Sequence, residues 1–188
     1  MIDKHFYNTV FSNSIRYNAP YKDAPDYRLG VWPDVVSRLE KEKVLELGCG
    51  TGQFAELLKD TGVCESYTGI DYSDVAIKKA DKLGDGYKFL CEDINEYCFD
   101  FDFTVVIALE FLEHVEDDLM IIKKLPSGTR IIFSVPSFSA PQHYRCFEKM
   151  ENVIQRYSEL INMTYGRTFG KKHKIYLCDG IINGSHTI

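Results

Sequence analysis

The sequence has no apolar run approaching the roughly 18 residues that a membrane-spanning helix needs, so a helical span is not expected. Met1-Ile2-Asp3-Lys4-His5 lacks the basic-then-apolar order of a secretory leader. None of the six cysteines, Cys49, Cys64, Cys91, Cys98, Cys146 and Cys178, forms a Cys-x-x-Cys pair. That speaks against a zinc knuckle or disulfide framework and for reduced, mostly buried thiols in a cytoplasmic chain. Positive charge is in short supply: 22 Lys and Arg against 28 Asp and Glu leave −6. Nucleic acid is thus an unfavoured partner, because its phosphates need clustered cations. Lys171-Lys172-His173-Lys174 is the one dense basic patch and suits a solvated strand edge. Repeats and low-complexity tracts are absent too, and 188 residues fit one domain.

What is present centres on Val44-Leu45-Glu46-Leu47-Gly48-Cys49-Gly50-Thr51-Gly52-Gln53-Phe54. An apolar strand breaks into three glycines, then becomes a helix with Phe54, Leu57 and Leu58 on one face. Glycines turn the chain tightly and leave no Cβ in a ligand's way, and the first N–H groups of a helix lack partners. In an open α/β sheet such a turn lies at the carboxyl end of its strand, where ligands bind. A second strand, Tyr67-Thr68-Gly69-Ile70-Asp71, ends in an acid about 20 residues beyond the turn, where a carboxylate suits ribose hydroxyls. The minimal reading is a site for a nucleoside-bearing cofactor.

The spacing is G-x-G-x-G, not the G-x-G-x-x-G of dinucleotide sites, and no Lys-Ser/Thr follows to make a P-loop. Glu46, two residues before Gly48, is placed to hold an ammonium group. At these residues the chain resembles the class I S-adenosylmethionine-dependent methyltransferases, whose first motif looks like this E-x-G-C-G-T-G. The small-molecule type, including ubiquinone-pathway O-methyltransferases, is similar again at Glu110-x-x-Glu113-His114-Val115. The resemblance covers residues 33–182. It implies a Rossmann-like, doubly wound sheet of seven strands, its last strand antiparallel and at the edge, with helices on both faces. It also implies S-adenosyl-L-methionine as cofactor and direct in-line methyl transfer to a small molecule. An NAD-linked oxidoreductase is the alternative that the glycine spacing and Glu46 oppose. A binding protein without catalysis is opposed by the intact Glu46, Gly48, Gly50 and Asp71 set.

The expected roles follow. Glu46 and the backbone of Gly48, Cys49, Gly50 and Gly52 hold the methionine part, Asp71 the ribose, and Tyr72 lies against the adenine. By resemblance, Asp93 and Ile94 read the adenine edge; Asp93 as a helix cap is the competing reading. Leu109 and Glu110 border the methyl. Residues 1–32, rich in Tyr, Phe and Trp, form an arm or a lid ahead of a core at 33–188, with Tyr7 and Tyr17 lining it. His143, in the loop after the fifth strand, is the candidate general base, and Tyr144 and Arg145 are candidate substrate contacts. Glu110, Glu113 and His114 with His143 resemble the metal site of small-RNA 2′-O-methyltransferases. A structural histidine is the preferred reading there, and no metal is expected.

Along the chain, Pro33 opens a helix with Val35, Val36 and Leu39 inward. Ser73 caps a helix at 74–82, and Gly84-Asp85-Gly86 makes a loop. Tyr87–Cys91, Phe101–Leu109 and Ile131–Val135 read as strands three to five. A helix with Val115, Leu119 and Ile122 inward lies between the last two. Phe147, Met150, Val153 and Ile154 mark a further helix, and Leu160–Phe169 with Ile175–Ile182 make a hairpin.

Overall fold

The computed structural model describes residues 4–84, 86–99 and 102–184. The expected Asp85 and Phe101 lie outside them. The chain divides into two units, one of residues 1–97 with 102–104, the other of 98–101 with 105–188.

In the first unit the apolar run before the glycines is β1, Glu42–Leu47, and the run ending in the acid is β2, Cys64–Asp71. Leu45 and Leu47 have essentially no exposure, as strands covered on both faces require. β1 and β2 pair in parallel, with Glu46 opposite Gly69, and β3, Tyr87–Cys91, pairs in parallel with β2. Between β1 and β2 runs α5, Gln53–Thr61, which buries Phe54, Ala55, Leu57 and Leu58. Between β2 and β3 runs α6, Asp74–Ala80, whose Ser73 cap accepts from the Ala76 N–H as expected. It gives way to a 3₁₀ turn at Asp81–Leu83 instead of reaching residue 82 as α-helix.

Ahead of β1 the irregular-looking arm is helical: α1, Lys4–Asn13; α2, Ile15–Asn18; α3, Pro25–Leu29; and α4, Val31–Val36. Pro33 does not open α4. Gly30, at φ 85°, ends α3 and starts α4 two residues earlier. Pro33 still sits in the first turn, where its missing N–H costs no helical bond.

The second unit is built on β4, Val105–Leu109, and β5, Arg130–Pro136, paired in parallel from Val105–Arg130 to Leu109–Ser134. β4 starts at Val105, and Asp102–Thr104 are joined instead to the start of β1: the Thr104 N–H donates to the Lys43 carbonyl at 2.9 Å. The hairpin is β6, Ile161–Phe169, and β7, Ile175–Ile182, antiparallel to each other, and β7 is antiparallel to β5. The order over all seven strands is β3-β2-β1-β4-β5-β7-β6. The expected fold class holds with one correction: β6, not the last strand, takes the edge, and antiparallel β7 lies inside it. β7 is buried from Ile175 to Gly180, with its one charge, Asp179, held by the Arg130 guanidinium, and such a strand needs neighbours on both sides.

Two helix phases also differ. A 3₁₀ turn at Leu112–His114 precedes α7, Asp118–Lys124, so the apolar phase resets. Asp118, Ile121 and Ile122 are buried, and Leu119 only partly. In α8, Met150–Tyr157, Val153 and Tyr157 face inward, four apart, while Ile154 is 41% exposed. No helix among the described residues is long and apolar enough to cross a membrane.

Candidate functional site

The glycine turn follows β1 directly. Gly48, Gly50 and Gly52 take φ of 74°, 52° and 82°, values that side chains with a Cβ rarely adopt. At Gly52 a Cβ would also meet Leu83 Cδ1 at 3.0 Å and the Ala80 Cα at 3.2 Å, so the start of α5 packs directly on the end of α6. The turn's donors are largely committed within the unit. The Gly48 and Cys49 N–H groups donate to the Ile70 carbonyl at 2.8 and 3.1 Å, and that of Gly52 to the Cys49 carbonyl. What the glycines supply at Gly48 and Cys49 is therefore shape more than N–H donors.

Asp71 ends β2 beside this turn. Its carboxylate accepts from the Gly50 N–H at 2.9 Å and from the Ser73 N–H at 2.8 Å. Burial pushes it up to about 6, against the opposing pull of those two N–H groups. Glu46 is 4% exposed, and the Tyr67 hydroxyl donates to its carboxylate at 2.5 Å. Burial lifts Glu46 to about 8, with the Asp71 charge adding to the rise and the Tyr67 bond opposing it. Tyr67 was not among the sequence candidates. Its hydroxyl reaches Glu46 because position 69 is glycine: a Cβ there would lie 2.7 Å from that oxygen and 2.8 Å from Cys49 Cβ. Cys49 is buried, and its thiol is pushed far up by burial and then by the Asp71 and Glu46 charges, so it is inert.

The arm is latched over the turn. Thr51 Oγ1 donates to the Tyr17 carbonyl at 2.6 Å, Gln53 Nε2 to the Ala19 carbonyl at 2.6 Å, and Lys79 Nζ to the Phe11 carbonyl at 2.6 Å. Asn8 bridges Ser73 and Asp74. Phe11 lies against the glycines, 3.4 Å from where a Gly50 Cβ would stand. Tyr17 packs edge-on to Phe11 at 5.0 Å, and Tyr7 edge-on to Phe6. Only a helix reading of 4–13 would have singled out Phe11. Asp93 opens a turn after β3, its carboxylate accepting from the Asn95 N–H at 2.9 Å, and Ile94 is buried. Lys4 Nζ lies 5.7 Å from the centre of the Tyr72 ring.

A family model described as Methyltransferase domain matches residues 11–171. The chain belongs to that family. Among curated relatives, the ubiquinone biosynthesis O-methyltransferase of Thiobacillus denitrificans is 33% identical over 134 residues, covering 66% of this chain and 57% of the relative. The malonyl-[acyl-carrier protein] O-methyltransferase of Bacillus cytotoxicus is 27% identical over 150 residues, covering 73% and 51%. This methyltransferase-family chain thus spans about half the length of the curated relatives it matches. Among solved structures, N-methyltransferase NodS from Bradyrhizobium japonicum, in complex with S-adenosyl-l-homocysteine, superposes with TM-score 0.74 at 19% identity, covering 96% of this chain and 98% of that one.

The second unit of the methyltransferase-family chain holds the remaining candidates. Glu110, just past β4, takes φ 49°, one of two non-glycine residues at positive φ among those described. Its N–H donates to the Ser134 carbonyl and hydroxyl, and the Ser134 hydroxyl donates back to its carboxylate at 3.0 Å. Leu109, its neighbour, closes the strand half-buried. Arg145 is spent on structure: its guanidinium donates to the carbonyls of Leu112, Val115 and Glu116. The Tyr144 side chain is exposed, and its N–H donates to the Glu113 carbonyl at 2.8 Å. His143 donates from Nδ1 to the Phe138 carbonyl at 3.1 Å and meets His114 edge-on at 4.8 Å. Burial, then the neighbouring His143, pushes His114 down to about 4.

Proposed function

We propose that this chain transfers the methyl group of S-adenosyl-L-methionine to a small-molecule acceptor, in the cytoplasm. The observation that carries the reading is the Asp71 carboxylate bonded to the N–H of Gly50, which sets an acid and the glycine turn side by side at the ends of β1 and β2. The donor set suits such a cofactor: Glu46 for an ammonium group, Asp71 for ribose hydroxyls, and glycines that leave room for a backbone approach. The names of the curated relatives, O-methyltransferases, support the same class, and the net charge of −6 favours a small acceptor over nucleic acid.

The sulfonium supplies an already activated methyl group when bound. What remains for the chain is alignment of an acceptor lone pair with the S–CH₃ bond, worth several kcal/mol through the entropy of encounter that it removes. Asp93 and Ile94 are assigned to the adenine edge and Tyr72 to its face. Residues 1–32 are assigned to a cover, with Phe11 as the side chain that must give way, over a core at 33–188. Glu46 enters protonated near neutral pH, so taking up an ammonium group releases a proton.

Calorimetry with S-adenosylhomocysteine tests this. The affinity should be micromolar, and Asp71→Ala should weaken it by tenfold or more, about 1.4 kcal/mol. The binding heat should also vary with the ionisation enthalpy of the buffer in the native chain and not in Glu46→Gln. An Asp71→Ala variant that binds as tightly as the native chain would remove Asp71 from the site.

A further inference from the structure

We propose that Tyr67 is a positioning residue for cofactor binding: its hydroxyl aims the Glu46 carboxyl and steadies the anion that an ammonium group needs, and Gly69 provides the room for that contact. The inference rests on the assignment of Glu46 to the ammonium group of S-adenosylmethionine, and it adds the residue through which Glu46 works. All three residues lie in the first unit.

The geometry is that of a fixed donor. The Tyr67 hydroxyl donates to Glu46 Oε2 at 2.5 Å, and the residue is 2% exposed. Two rings of β3 hold the phenol in place. Tyr87 stacks on it at 4.7 Å, with 23° between the planes, and Phe89 packs at 5.5 Å. Burial first, and then the Glu46 charge, pushes the phenol far above its ordinary range. The hydroxyl therefore keeps its proton and stays a donor to an ionised Glu46. Position 69 stands opposite Glu46 in the β1–β2 register, and a Cβ there would lie 2.7 Å from the hydroxyl and 2.9 Å from Cys49 Sγ. The other carboxyl oxygen, Oε1, makes no hydrogen bond among the described residues. One oxygen is held, and the other is left for a donor on the ligand.

A buried carboxyl gives up its proton only where something stabilises the anion. Facing Glu46 are Tyr67, Asp71, Cys49, Cys64 and Tyr87, none of them a cation. Burial and the Asp71 charge oppose ionisation, and the Tyr67 bond favours it. A hydroxyl bonds an anion more strongly than a neutral acid. The Tyr67 bond therefore tightens as the Glu46 proton leaves for solvent and the ammonium group pairs with the carboxylate. Without that hydroxyl the same binding event has to ionise an acid that no other group here helps.

Calorimetry with two compounds tests this: S-adenosylhomocysteine, and 5′-methylthioadenosine, which has the same nucleoside without the amino-acid group. In the native chain the affinity for S-adenosylhomocysteine should rise with pH and level off above about 8, where Glu46 ionises unaided. Tyr67→Phe keeps the ring and should weaken S-adenosylhomocysteine about tenfold at neutral pH, a loss that shrinks to about threefold by about pH 8.5. Methylthioadenosine should bind the native chain and the variant alike at every pH. In a Glu46→Gln background, adding Tyr67→Phe should change the affinity by less than about twofold. Unchanged S-adenosylhomocysteine affinity in Tyr67→Phe, a loss that is equal at every pH, or an equal loss with methylthioadenosine would overturn the proposal and leave Tyr67 a packing residue. A native chain that binds neither compound would instead overturn the cofactor reading, and this inference with it. Should Tyr67→Phe not fold, 3-fluorotyrosine at position 67 keeps the shape and makes a stronger donor. The pH at which affinity levels off should then fall, and an unmoved one would overturn the proposal.

Discussion

Glu46 in the first unit and Asp118 in the second are both carboxylates sealed inside the protein, and the chain surrounds them differently. Asp118 has no exposure and is met by cations and a hydroxyl: Arg156 Nε at 2.9 Å, its terminal nitrogen at 2.5 Å, Tyr157 at 2.8 Å and Arg145 at 3.4 Å. Glu46 has the Tyr67 hydroxyl and no ion pair among the described residues. Desolvation disfavours its charged form, so the proton stays on to about pH 8. An acid that the chain has already matched with guanidinium groups is framework. An acid kept buried without a cation costs stability and has a natural complement in a cationic ligand. The same contrast separates Arg145, drawn into the Asp118 framework, from the residues left for a ligand.

Four experiments break or sharpen that contrast. Asp118→Ala should have the largest effect, about 4 kcal/mol of unfolding free energy in urea, because two guanidinium groups lose their buried partner. An effect below 1 kcal/mol would mean that the acid is not framework. Glu46 should show the opposite sense with pH. Below about pH 4.5 both folded and unfolded states are protonated. As pH rises the unfolded chain ionises first, so native stability falls until about pH 8, by on the order of 4 kcal/mol. Asp71, raised to about 6, adds to the same slope. Denaturation curves between about pH 6 and 8, above the range of Asp71, should flatten in Glu46→Gln, and a slope that persists there would assign it elsewhere. Gly52→Ala should cost about 2 kcal/mol, from left-handed backbone together with contacts at 3.0 to 3.2 Å. A melting temperature within a degree of the native one would contradict that crowding. Smallest is Arg28→Ala, whose pair with Asp23 is well over half exposed on both sides. It should change stability by less than about 0.5 kcal/mol, and a larger loss would show that exposed pairs matter here as buried ones do.

Local signals were read well where one short-range rule dominates. Tyr87–Cys91 is a strand as expected because an apolar run sits between turn residues, and Ser73 caps α6 because a hydroxyl at that place satisfies a helix donor. The arm was unreadable because helices of four to ten residues are too short for a period to show. Leu119 and Ile154 were misplaced for a related reason. A 3₁₀ turn shifts the phase ahead of α7, and in α8 the inward face is set by Val153 and Tyr157, which periodicity alone does not rank above Ile154.

From the order of residues alone came the family, the seven-stranded architecture, the glycine turn and the acid that closes β2. The turn and the acid rest on neighbours in the chain and on backbone geometry, the family and the architecture on what those motifs resemble. Only folding decided that Tyr67 reaches Glu46 across the space left by Gly69, that Arg145 is claimed by carbonyls, and that His143 meets His114 and Glu113 about 30 positions away. Those are encounters between side chains far apart in the chain. Their outcome depends on which groups lose water together, and no local pattern encodes that.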